Sequence, residues 1–238
     1  MNGRPEGEKS MRKIGMVVAI ANELGRVFRK FGDPKETILH GSMDVHVFDC
    51  GKYTLYVAHS GAGEIGAAAA TELLIACYGA EFIVNFGVVG GLTEEMKRAT
   101  SAIVKRVVHY AYDTSAFDGT VPGQYSEFPD VYIPVSESMT ERAAALHPDL
   151  PLVTIASADR FVADPEEKKA LHEQFGADIC DMESAGIALT AHRNGVPVLM
   201  IKTVSDGIEG GAEEFARECV RTAEMALETA VEIIGGLE

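Results

Sequence analysis

The sequence predicts an α/β fold: a three-layer α/β/α sandwich with a mixed, largely parallel central sheet. Three observations predict it. Largely apolar runs at 14–20, 81–86 and 196–204 have the pattern of strands buried on both faces. Stretches of helical spacing separate them, as crossover connections between parallel strands require. No linker and no repeat of some 20–50 residues divides the 238 residues, a length that one α/β domain accommodates.

In chain order, 14–20 is the first buried strand, and Asn22-Glu23 opens a helix to about Lys30. Residues 37–48 and 52–59 alternate and pair as a hairpin about Gly51-Lys52. The alanine-rich segment 67–78 is a helix closed by Gly79. A buried strand at 81–86 precedes Gly87, Gly90 and Gly91, and 101–109 is strand-like. Residues 111–130, rich in Gly, Pro, Asp and Tyr, form a long functional loop. Helices follow at 136–146 and 165–175, the second with Pro165 at its first position, and a strand lies between them at 152–157. The segment 184–194 is a helix ended by Gly195, 196–204 is a strand, and 212–234 is a long closing helix.

Composition narrows the function. Lys and Arg number 21 against 36 Asp and Glu, a net charge of −15 that repels phosphate backbones and anionic headgroups. Nucleic-acid and membrane partners are therefore not expected, and no apolar run approaches the ~20 residues of a membrane span. Cys50, Cys77, Cys180 and Cys219 stand far apart and read as reduced, mostly buried thiols of a cytoplasmic protein. Residues 1–10 are polar and lack a signal-peptide core; they read as a disordered leader or expression remnant ahead of one domain, 11–238.

Gly61-Ala62-Gly63-Glu64-Ile65-Gly66 matches GxGxxG between a strand and a helix. It follows a later strand, however, and the position about 20 residues on is Asn85 in place of an acid, so a dinucleotide site is disfavoured. The plainer reading is a tight turn that lets backbone approach a small ligand. The seven histidines show no zinc-ligand spacing, so no metal is expected. Three strand ends carry carboxylates: Glu23, the Asp181-Met182-Glu183 cluster, and Asp206 after Ser205. A helix cap explains one acid per helix but not two around Met182. Carboxyl ends of strands are where open α/β sheets bind ligands.

Taken in order, Glu23, Ser60-Gly61-Ala62-Gly63, Asn85-Phe86-Gly87-Val88-Val89-Gly90-Gly91, Ser157-Ala158-Asp159-Arg160-Phe161, Asp181-Met182-Glu183 and Ser205-Asp206 resemble the nucleoside phosphorylase/nucleosidase superfamily. The nearest resemblance within it is to the 5'-methylthioadenosine/S-adenosylhomocysteine nucleosidases, over about 11–235. The resemblance implies a phosphorylase/hydrolase-like fold and a cofactor-free nucleosidase. Asp206 would protonate the leaving adenine at N7, with Ser205 orienting it, and Glu23 would hold the attacking water. Glu183 would bind the ribose hydroxyls and Met182 would pack on the sugar. Phe161 would stack on the base while the backbone of Val162 reads its edge. Lys202 stands where the family has a basic residue.

The same resemblance bears on the nucleophile. Phosphorylases of the superfamily hold phosphate with arginines, whereas Glu23 aims an anion at that place. Water is the expected nucleophile. Two departures stand out: Val88 replaces a Ser or Thr that helps hold the water, and Ala62 and Ala212 replace larger residues, enlarging or loosening the 5' pocket. The family's homodimer completes that pocket from the long loop, which would carry Phe117 into the neighbouring subunit's site; Phe117 serves equally well as a loop anchor. Phosphorolysis, another preferred nucleoside, and a binding protein without turnover remain open alternatives.

Overall fold

The computed structural model describes residues 11–236; the sequence reading of 1–10 as a leader lies outside them. The chain opens with β1 (Arg12–Val18) and α1 (Ala21–Phe31), followed by β2 (Glu36–His40), β3 (Met43–Asp49) and β4 (Tyr53–His59). Then come α2 (Glu64–Ala76), β5 (Phe82–Gly91), β6 (Ser101–His109), α3 (Ser115–Asp118) and β7 (Tyr132–Pro134). The rest is α4 (Glu137–Leu146), β8 (Leu152–Ser157), α5 (Pro165–Phe175), β9 (Ile179–Asp181), α6 (Ser184–Arg193), β10 (Val198–Asp206) and α7 (Ala212–Gly236).

All ten strands among the described residues belong to one mixed sheet. At its centre β4, β1, β5 and β10 run parallel. Beyond them β10 pairs antiparallel with β6, β6 parallel with β8, β8 parallel with β9, and β9 antiparallel with β5. Those five strands therefore close into a ring, while β4, β3 and β2 extend from β1 as an antiparallel wing. One apolar layer packs α2 (Ala67, Ala70, Leu74) and α6 (Ile187, Ala188, Ala191) on one face. A second packs α1 (Val27), α4 (Ala143) and α7 (Ala226, Leu227, Ala230, Ile233) on the other. This is the predicted three-layer arrangement.

Three local expectations need correction. Residues 37–48 form two strands, because Gly41 at φ 66° turns the chain back on itself. The strand predicted at 81–86 runs on to Gly91, since β10 pairs along its whole glycine-bearing half. The alanine-rich helix starts at Glu64, three residues before its apolar stretch. The short strands β7 and β9 are set by pairing partners rather than by their own few residues. Of the four cysteines, which are all free, Cys180 and Cys219 are buried while Cys77 is exposed. No helix among the described residues is long and apolar enough to cross a membrane.

Candidate active site

The parallel strands β4, β1, β5 and β10 bring their carboxyl ends, with the turns that follow, to one side of the sheet. From the first turn of α1 the Glu23 side chain folds back toward β1. Its Oε2 accepts from the amides of Ala19 (3.2 Å) and Ile20 (3.3 Å), and its Oε1 from that of Val88 (3.0 Å). Gly87 makes the room, for a Cβ there would stand 2.6 Å from Oε1 and 3.7 Å from Lys202 Nζ. Burial pushes the Glu23 carboxyl up from its ordinary value, against the pull of Lys202 and the three amides.

The GxGxxG segment is a tight strand-to-helix turn, as its plainer reading required. Gly63 adopts φ 109°, and its amide donates to Glu183 Oε1 at 2.9 Å. Gly66 is glycine because a Cβ would sit 2.5 Å from the Ser60 carbonyl oxygen. The ligand of this backbone is thus a carboxylate of the protein itself. Burial, then the neighbouring charge of Asp181, pushes Glu183 up to about 7. Asp181 is spent internally. Its Oδ2 accepts from Ser184 Oγ (2.6 Å) and Lys202 Nζ (2.8 Å), and its Oδ1 lies 2.7 Å from Ser157 Oγ. Burial would raise its carboxyl, but the Lys202 ammonium and these hydrogen bonds hold it below the usual value.

Glu64 joins the same cluster. Its Oε2 accepts from the Gly186 amide, and its Oε1 is 2.5 Å from Ser157 Oγ. A serine hydroxyl has one hydrogen and cannot satisfy two carboxylates at once. One of the pair must be protonated, and Asp181 already answers the Lys202 charge, so Glu64 carries the proton and donates it to Ser157. Burial, with the charge of Asp181 behind it, pushes Glu64 up to about 8, consistent with that assignment.

At the end of β10, Asp206 is buried with both oxygens engaged. Ser205 Oγ donates to Oδ1 at 2.8 Å, and Lys168 Nζ, from α5, donates to Oδ2 at 2.7 Å. Burial raises this carboxyl, against the Lys168 hydrogen bond and charge. One cavity is lined by Glu23, Val88, Met182, Glu183, Ser205 and Asp206, with Ala62, Phe161 and Val162 completing it. Phe161 meets Phe215 of α7 edge to face, their ring centres 5.4 Å apart.

Some predicted residues stand elsewhere. Lys202 is behind the cavity wall, 2% exposed and bound to Asp181. Ala212 lines a separate open depression beside Arg98 and Glu214. Phe117 is 92% exposed on the long loop. Sequence reasoning quoted Glu64 and Ser157 within motifs but gave them no role, and it missed Phe215 and Lys168. Lys168 had a signal: with Leu171 and Phe175 it falls at helical spacing on the stripe of α5 that is buried.

A pair of carboxyls facing one largely apolar cavity, one cradled by amides and one by a lysine, is equipped to accept a proton at one end and deliver one at the other. The model of the phosphorylase superfamily matches residues 13–235. A 5'-methylthioadenosine/S-adenosylhomocysteine nucleosidase of Shewanella halifaxensis is 32% identical over 199 residues, 82% of this chain and 86% of that one. An aminodeoxyfutalosine nucleosidase of Helicobacter pylori is 28% identical over 236 residues, 93% of this chain and 99% of its own. Among solved structures, the 5'-methylthioadenosine/S-adenosylhomocysteine nucleosidase of H. pylori superposes with a TM-score of 0.89 at 25% identity, covering 95% of this chain and 99% of that one.

Proposed function

Because the chain belongs to the phosphorylase superfamily, we propose that it hydrolyses the N-glycosidic bond of 5'-thioadenosine compounds such as 5'-methylthioadenosine and S-adenosylhomocysteine. The observation that carries the reading is that Glu23 and Asp206 line the same cavity, with Glu183 beside them. The C1'–N9 bond breaks with its electron pair passing to the base, and Asp206 gives its proton to N7. Positive charge that develops on the ribose is met by Glu23 and Glu183. Water adds its oxygen to C1' and yields a proton to Glu23, so adenine and the 5-thioribose leave as neutral products. Glu183 binds the ribose hydroxyls and Met182 covers the sugar. Phe161, braced by Phe215, stacks on the base, and the Val162 backbone reads its edge.

Water is favoured over phosphate by the Glu23 carboxylate, whose charge would oppose a phosphate dianion. A second substrate, aminodeoxyfutalosine, is favoured by the relative that matches 93% of the chain and by the small Ala62 on the cavity wall. We read the enzyme as a cytoplasmic homodimer whose long loop reaches the neighbour's site. The support is exposed apolar surface on the loop and α2: Phe117 at 92% and Ile65 at 82%. Adenine release from methylthioadenosine and from aminodeoxyfutalosine, with and without phosphate, tests the reading. Release independent of phosphate is expected. Phosphate dependence would make the protein a phosphorylase, and binding of both nucleosides without release would make it a non-catalytic binder.

A further inference from the structure

Lys168 is fully buried, 0% exposed, yet it does not line the cavity. It reaches Asp206 from behind, and its three hydrogens go to Asp206 Oδ2 (2.7 Å) and to the carbonyls of Gly207 (2.7 Å) and Gly210 (3.0 Å). An ammonium has no other hydrogens and no lone pair. Oδ2 therefore stays an acceptor, and a proton added beside the cation there would be repelled. Oδ1 differs. Its partner Ser205 Oγ is also 3.1 Å from the Val89 carbonyl, so the hydroxyl can swing to that carbonyl whenever Oδ1 carries a proton.

We propose that Lys168 is a positioning residue for the acid: it fixes Oδ2 as a pure acceptor, assigns the transferable proton to Oδ1, and makes Asp206 a stronger acid toward the leaving base. The proposal rests on the reading of Asp206 as the proton donor. The transferred proton leaves Oδ1 for the base nitrogen as the glycosidic pair moves into the ring, and the resulting carboxylate is met at once by the Lys168 charge. The other cation on the cavity wall, Arg160, is paired with Glu167 at 2.9 Å, and the remaining groups near Asp206 are uncharged or negative. Cys180 of β9 is separated from it only by Gly90, where a Cβ would stand 3.0 Å from the sulfur and 3.4 Å from Oδ2. Burial first, and Asp206 among the nearby charges, pushes that thiol up to about 12, so it stays neutral. Glu214 of α7 accepts from the Gly207 amide at 3.0 Å and is paired with Arg98 at 3.0 Å. Lys168 is thus the cation in direct contact with the acid.

The test compares wild type with Lys168→Met, Lys168→Gln and Lys168→Arg, after thermal unfolding has established which variants fold. Gln removes the charge but retains N–H groups for the turn carbonyls. Without the charge, the alkaline limb of kcat/KM for methylthioadenosine should move up by about 1–3 pH units, since a nearby opposite charge shifts a carboxyl by that much. Arg should bring the limb back toward wild type. Plateau turnover should fall roughly 10- to 100-fold on the nucleoside, less than the full ~10²–10⁴-fold of general acid catalysis because the acid is weakened and not removed. It should fall by a smaller factor on a 4-nitrophenyl riboside, whose phenolate leaves without a proton. Equal losses on both substrates with unmoved limbs would overturn the proposal, as would failure of both neutral variants to fold, which assigns Lys168 to stability alone. Asp206→Asn separates the two ideas: full adenine release from it would remove the donor reading itself, whatever the lysine variants do.

Discussion

Replacing Asp206 with Asn removes the proton donor and, in the same step, the counter-charge of a fully buried lysine. Turnover should fall by about 10²–10⁴-fold. Breaking a buried ion pair costs about 3–5 kcal/mol, so the variant should also unfold at lower temperature, although the Asn oxygen keeps one acceptor for Lys168. Near wild-type turnover in a folded protein would refute the assignment. Val88 is a milder case. Its amide already holds Glu23, and what the side chain lacks is one hydroxyl for the water, worth about 0.5–1.5 kcal/mol. Val88→Ser should therefore raise kcat only several-fold, and an unchanged or lower kcat would show that the water is held by other groups. Glu64 makes a prediction about stability. Its carboxyl titrates near 8 when folded against 4.5 in the unfolded reference, so the folded chain holds the extra proton between those values. That contribution is complete below about 4.5 and is lost as pH rises toward 8, at no more than about 1.4 kcal/mol per pH unit. Glu64→Gln, whose amide can donate to Ser157 and whose carbonyl can accept from Gly186, should flatten this decline. Melting curves that stay parallel to wild type from pH 5 to 8 would contradict it.

At the scale of elements, the turn from β4 into α2 is the most sensitive joint. Its last glycine lies against the Ser60 carbonyl, and a methyl group at 2.5 Å cannot be accommodated without moving backbone. Gly66→Ala should lower the melting temperature by several degrees, in line with roughly 1–3 kcal/mol for overpacking. Because the same turn presents the Gly63 amide to Glu183, KM should rise more than kcat falls. A variant with wild-type KM would mean that the turn is free to shift. How far such elements could be read from sequence depends on what determines them. The boundaries of β6, β8 and α5 were legible because their own residues decide them: apolar runs, and Pro165 following the capping Asp164. Strand β7 was not, since three residues carry no periodicity and only a partner's ladder makes them a strand; of β9 only its carboxyl end, before Met182, was legible. The site followed the same division. Glu23, Glu183 and Asp206 announced themselves at strand ends, whereas Lys168 and Glu64 matter through residues 38 and 93 or more positions away.

For the whole molecule, the closed ring of β5, β10, β6, β8 and β9 separates what can fluctuate from what cannot. A strand in an open sheet can peel from its edge, but within a closed circuit every strand has two ladders, and detaching one breaks both. Ser157, Asp181 and Asp206 terminate three of these strands, and Val88 lies within a fourth. Glu23 and Phe161 are supplied from outside the circuit, by α1 and by the segment leading into α5. In deuterated solvent, amides at Val84, Ile103, Ile155 and Ile201 should exchange only through global opening, on one common timescale. Those of the β2–β3 wing should exchange sooner, through a partial opening that leaves the ring intact. If ring and wing exchange together, the circuit confers no separate rigidity. If they part, the carboxyls at the ring's strand ends share the lifetime of the native state itself, and binding has only the outer segments to rearrange.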